Sequence, residues 1–105
     1  IEKREQWIKK LFKHESKVKV ITYKGLTVAF CTAHQATYII RGLRNTTDFE
    51  FERTIAHLNK TLVPGIETVF IMTAPELSYV SSSAVRDILT NGGDAGHLVP
   101  EGITL

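Results

Sequence analysis

Two short apolar runs rich in β-branched residues, Thr37-Tyr38-Ile39-Ile40 and Ile66-Glu67-Thr68-Val69-Phe70-Ile71-Met72, stand on either side of one long helical pattern. No other feature of the chain constrains the fold as tightly. Between the runs, Phe51, Ile55, Leu58 and Leu62 recur at i, i+4, i+7 and i+11, the stripe of an amphipathic helix. Thr47 with Glu50 three residues on matches a capping box and places the helix start, and Pro64-Gly65 stops the helix after Leu62. Runs of this kind suit buried strands, and a strand-helix-strand succession joins its strands in parallel through a right-handed crossover.

The remaining segments extend the alternation. Trp7, Ile8, Leu11 and Phe12 lie at helical spacing among Lys and Arg, which predicts an amphipathic helix from about Glu2 to Lys13. Lys17-Val18-Lys19-Val20-Ile21-Thr22 alternates and is β-branched, which predicts a strand. Gly25 opens a helix over Leu26 to Gln35, Pro75 to Val80 reads as a loop, and Ser81-Ser82-Ser83 precedes a short helix ending before Asn91-Gly92-Gly93. The expected order is α-β-α-β-α-β-α, an α/β fold with a parallel sheet and helices on both faces, and residues 1–105 make one domain.

Composition removes several function classes. Thirteen Lys and Arg against eleven Asp and Glu leave a formal charge of +2, too balanced for a nucleic-acid footprint, and the basic residues Lys3, Arg4, Lys9, Lys10 and Lys13 read as a solvated helix face. No apolar run approaches the roughly 18 residues of a membrane span, so no membrane partner is expected. The single cysteine, Cys31, permits no internal disulfide and suits a reducing cytoplasm. The chain opens on Ile1 directly into a helical pattern, so further residues are expected ahead of it.

In open parallel sheets, ligands bind beyond the carboxyl ends of the strands. Three segments are expected there: Tyr23 to Thr27, Arg41 to Arg44, and Thr73 to Ser83. Gly42 permits a change of direction and a close approach, so Arg41 and Arg44 need not point to opposite faces as in a continuing strand. Guanidinium forks stay charged and match phosphate oxygens, so the pair reads as a clamp for a polyphosphate. An arbitrary pair of arginines is more often solvated, and it is the place at a strand end that favours the clamp. The helix start at Thr47 carries its own acids, Asp48 and Glu50, which oppose another anion there. The start at Ser81 to Ser83 carries none, and its hydroxyls and N–H groups make a second candidate phosphate site, with an ordinary serine cap as the alternative. Glu52 has three readings, as an acceptor for a sugar or base, as a partner of Arg44, or as a solvated acid, the last being favoured by sequence alone.

Other residues fall away as chemistry. Cys31 and His34 are two isolated metal-ligand types, Cys31 reads as a small core residue, and His57 reads as a surface or partnered histidine rather than a base. No G-x-G-x-x-G or G-x-x-x-x-G-K-S/T motif occurs, which argues against a dinucleotide or P-loop site.

Arg41-Gly42-Leu43-Arg44, then Asp48-Phe49-Glu50-Phe51-Glu52, Glu67 to Met72, Ser78 to Ser83, Gly92-Gly93-Asp94 and Leu98-Val99-Pro100 together resemble bacterial phosphopantetheine adenylyltransferase in order and spacing, over nearly the whole chain. The resemblance implies a Rossmann-like nucleotidyltransferase that moves adenylate from ATP to 4'-phosphopantetheine, giving dephospho-coenzyme A and pyrophosphate, with Mg2+ as cofactor, in the cytoplasm and as a homohexamer. It places Thr27 and Arg41 at phosphopantetheine. It places Gly42, Leu43, Arg44, Glu52 and the segment Leu77, Ser78, Tyr79, Val80, Ser81, Ser82 and Ser83 at ATP. The family begins with a strand-helix-strand unit carrying a His/Thr-x-Gly-His motif, whose histidine stabilises the transferring phosphate, and a substrate-binding lysine. None of this is in the chain, and Asp94-Ala95-Gly96-His97 falls in the segment matching the family's later G-G-D loop instead. The catalytic histidine is therefore expected upstream of Ile1, with residues 1–105 alone expected to be inactive. The alternative function is a non-catalytic nucleotide- or coenzyme A-binding fragment or assembly module.

Overall fold

The computed structural model describes residues 2–105. Its regular elements are helix α1 (Glu2–Leu11), helix α2 (Thr27–Ala33), strand β1 (Tyr38–Leu43), helix α3 (Thr46–Leu62), strand β2 (Glu67–Met72) and helix α4 (Ser82–Thr90), with short 3-10 turns at Pro75–Leu77 and Gly96–Leu98. They fall into two compact bodies, one of Lys24–Tyr79 and one of Ile1–Tyr23 with Val80–Leu105.

In the first body β1 and β2 pair in parallel, from Tyr38 against Glu67 to Leu43 against Met72, as the strand-helix-strand pattern predicts. Alternate residues face opposite sides of a strand. Phe70 meets Phe49 of α3 edge-on, with ring centroids 6.0 Å apart. Arg41, opposite Phe70 in the ladder, pairs with Glu52 of the same helix. On that side Ile39 packs against a small core of Val28 and Cys31 from α2 with Ile66. Both helices of this body therefore lie on one side of the ladder. Tyr38, Ile40, Val69 and Ile71, of opposite parity, are exposed. The α/β class and parallel sheet are as expected, and Cys31 is the buried core residue that its type suggests.

Two local expectations are corrected here. Strand β1 does not end at Ile40: it continues through Arg41, Gly42 and Leu43, and Gly42 keeps a negative φ and a ladder partner, Ile71. Pairing with the longer β2 run carries the ladder past the point where apolar character stops. The N-cap of α3 is Asn45, not Thr47: its side chain accepts the Asp48 N–H at 2.8 Å, and Thr46 is already helical. Asparagine is as good a cap as threonine, and it comes first in the chain.

In the second body α1 follows the predicted stripe, yet none of its described residues is buried and Ile8, Leu11 and Phe12 stay about two-fifths exposed. The segment after it is a further correction. Lys17 to Thr22 forms no strand. A strand exists only through ladder hydrogen bonds to a neighbour, and the sheet among the described residues has two members, β1 and β2. Residues 20–23 instead face α1 across a cavity of about 260 Å³ lined also by Arg4, Glu5 and Ile8, and Thr22 Oγ1 donates to Glu5 at 3.0 Å. Helix α4 closes as its sequence predicts: Gly92 takes a φ of 78°, its N–H reaches the Leu89 carbonyl, and Gly93 N–H reaches the Ile88 carbonyl. This is the Schellman pattern that a Gly after the last helical turn makes.

Candidate anion-binding site

The carboxyl ends of β1 and β2 are tied together. Thr73 N–H, just past β2, donates to the Leu43 carbonyl at 2.8 Å, so the segment opened by Arg44 and the one opened by Thr73 leave the ladder at one level. Leu43 is buried at this point, and Leu77, Ser78 and Tyr79 farther along the second segment are exposed, with Ser78 Oγ donating to the Pro75 carbonyl. Thr27 stands at the first turn of α2 in the same body.

Each arginine is held by an acid of α3. Arg41 donates from Nε and Nη2 to the two oxygens of Glu52, at 2.9 and 2.6 Å, a forked carboxylate pair in which the Glu52 side chain keeps only 11% exposure. Arg44 donates to Asp48 three times, from its main-chain N–H at 3.0 Å, from Nε at 2.9 Å and from Nη2 at 3.3 Å. Asp48 and Glu52 are four apart on one helix and so share a face. Arg41 and Arg44 thus reach the same side of the ladder, as a clamp requires. The turn at Arg44 and the two acids on α3 bring this about, since Gly42 remains ordinary strand.

The ion pairs set the electrostatics. The hydrogen bonds from Arg41 hold the Glu52 carboxyl below its ordinary range, against a smaller opposing effect of burial. Asp48 is likewise held below its ordinary range by the Arg44 side chain and then by the Arg44 N–H, and Asp48 in turn pushes the Arg44 guanidinium up. The favoured reading of Glu52 as a solvated acid is corrected, and its ion partner is Arg41 rather than Arg44. Sequence reasoning also missed Asp48 as a site residue. The signal was there in the spacing, since Arg44 and Asp48 are four apart across a helix start, where an acid reaches back to the preceding residues.

At Gly42 a β-carbon would meet nothing within 4 Å, so the strand backbone is open to a ligand there. In the other body Ser81 is the N-cap of α4, its Oγ accepting the Ala84 N–H at 3.1 Å, and Ser83 Oγ accepts from Arg86 at 3.4 Å. The first turn of α4 carries no acid, as expected, but two of its three serine hydroxyls already have protein partners. Among the described residues, no group of three or more His, Cys, Asp or Glu could hold a metal ion, and both acids beside the arginines are engaged, so these residues do not themselves form a Mg2+ site.

A strand end presenting forked cations beside an open backbone suits a phosphate-bearing ligand. Residues 1–88 match the cytidylyltransferase-like family. A phosphopantetheine adenylyltransferase of Flavobacterium psychrophilum is 52% identical over 103 residues, covering 98% of this chain and 68% of that protein. Its counterpart in Bacteroides thetaiotaomicron is 45% identical over 105 residues, covering 100% of this chain and 69% of that protein. One from a Synechocystis strain is 47% identical over 103 residues, covering 98% and 65%. The chain belongs to the phosphopantetheine adenylyltransferase family, within the cytidylyltransferase-like group.

Proposed function

We propose that the protein transfers adenylate from ATP to 4'-phosphopantetheine, giving dephospho-coenzyme A and pyrophosphate. Family membership at 52% identity supports the activity and both substrates. The single observation that carries the site is the pair of arginines turned to one side of the ladder by Glu52 and Asp48.

In the reaction, a phosphate oxygen of phosphopantetheine attacks the α-phosphorus of ATP, the new P–O bond forms, the bond to the β-phosphate oxygen breaks, and pyrophosphate leaves with that electron pair. No covalent nucleophile is needed, and positioning and charge stabilisation supply the acceleration. Arg41 and Thr27 bind the acceptor. Arg44, with the open backbone at Gly42 and Leu43, binds ATP, together with Leu77 to Tyr79 of the same body. Glu52 stands on the ATP side and aligns Arg41, the arginine that binds the acceptor. Mg2+ enters with ATP as part of the substrate, held by phosphate oxygens. The protein acts in the cytoplasm and as a homohexamer; among the described residues no helix is long and apolar enough to cross a membrane.

Steady-state kinetics on the full-length protein test the assignment. Arg41→Ala is expected to raise the KM for phosphopantetheine and Arg44→Ala that for ATP, each by about 10- to 100-fold for the loss of a charge-assisted contact. Unchanged constants in both variants sink the site, and absence of dephospho-coenzyme A from the native protein sinks the activity. Native mass measurement reads the assembly, and a monomer would rule out the hexamer.

A further inference from the structure

We propose that Asp48 is a positioning residue for Arg44, fixing both its guanidinium and its main chain in the orientation that meets the nucleotide phosphates; the inference rests on the reading of Arg44 as an ATP contact. One carboxylate takes three donors from this single residue: Oδ2 accepts from the Arg44 main-chain N–H and from Nε, and Oδ1 accepts from Nη2. Asp48 is itself pinned, because its own N–H is bound to the Asn45 side chain that caps α3. The five residues 44–48 therefore close on themselves from both ends, with the helix start as the rigid base.

A free arginine side chain samples many rotamers, and ordering it weakens binding. Asp48 orders Arg44 before any ligand arrives. Arg41, Arg44, Asp48 and Glu52 sum to no formal charge, so the quartet attracts an anion through aimed donors and not through a surplus of positive charge. If bulk charge controlled affinity, removing the Asp48 carboxylate would strengthen ATP binding. If orientation controls it, the same change weakens binding, so the sign of the effect separates the two.

The test is a double-mutant cycle on the full-length protein. Asp48→Asn keeps one acceptor oxygen, so the helix start stays folded, yet it is expected to raise the KM for ATP about 3- to 10-fold, the size of the cost of ordering one long side chain. The KM for phosphopantetheine stays within about twofold, and in an Arg44→Ala background the Asp48→Asn change alters the ATP constant by less than about twofold, since the group it positions is gone. Asn45→Ala loosens the same helix start while leaving the carboxylate and its three donors from Arg44, so its ATP-specific rise is expected to be smaller than that of Asp48→Asn. An unchanged or lowered ATP KM in Asp48→Asn, an equal penalty in the Arg44→Ala background, or an equal rise in Asn45→Ala would overturn the positioning role. If Arg44→Ala itself leaves the ATP KM unchanged, the reading of Arg44 as an ATP contact falls and this proposal falls with it. A normal loss in Arg44→Ala beside an unaffected Asp48→Asn overturns the positioning role alone.

Discussion

Glu52 and Asp48 carry the pH behaviour of the site, and the sign follows from their partners. Both carboxyls titrate below their ordinary values, 4.5 for Glu52 and 3.8 for Asp48, because Arg41 and Arg44 hydrogen-bond to the charged forms. The folded chain therefore binds these two protons less tightly than the unfolded chain does. Stability from the pairs is fully present above the ordinary values and is lost as pH falls through the depressed folded ones. The difference in thermal stability between the native protein and Glu52→Gln is expected to hold constant from about pH 8 to about pH 6, then shrink below about pH 4.5 as the native carboxylate protonates. A difference that grows on acidification would contradict the pairing. Asp48, whose side chain is less enclosed than that of Glu52, at 24% against 11% exposure, adds a smaller effect of the same sign.

Strand β1 and helix α4 each place a glycine under a different demand. Gly42 sits in ordinary strand backbone with open space where a side chain would be. Gly42→Ala is expected to leave stability unchanged or raise it by up to about 1 kcal/mol, since glycine is costly inside a strand. The added methyl points to the exposed face of the ladder, opposite Arg41, so the KM for ATP is expected to stay within about twofold. Calorimetric unfolding and kinetics on one preparation check both halves. Gly92 is the reverse case: its φ of 78° disfavours any other L-residue, and its N–H closes α4. Gly92→Ala is expected to lower stability by about 1 kcal/mol, read as a lower denaturant midpoint at unchanged slope.

Over the whole molecule the buried apolar set among the described residues is small: Val28, Cys31, Leu43, Ile66 and Ala95. Val28, at 1% exposure, is the most enclosed of the large side chains and packs with Cys31 and Ile66. Val28→Ala is expected to cost about 1–3 kcal/mol and to quicken reaction of the Cys31 thiol with an alkylating reagent under native conditions, because that thiol is reached only when the core opens. A thiol that reacts as fast as a free peptide in the native protein would show that this core is not closed. The helix spans, the parallel strand-helix-strand core and the chain's own resemblance to its family were all legible in the sequence. They follow from local periodicity, turn residues and an ordered set of motifs, each complete within a few neighbouring positions. The length of β1, the irregular path of Lys17 to Thr22 and the partners of Arg41, Arg44 and Glu52 were not. A ladder needs a neighbouring strand in register, and an ion pair needs two side chains brought together from different elements. The sequence by itself determined that two arginines stand near a strand end. Only the tertiary structure, by setting α3 beside that strand, decided which way they face and which acids hold them.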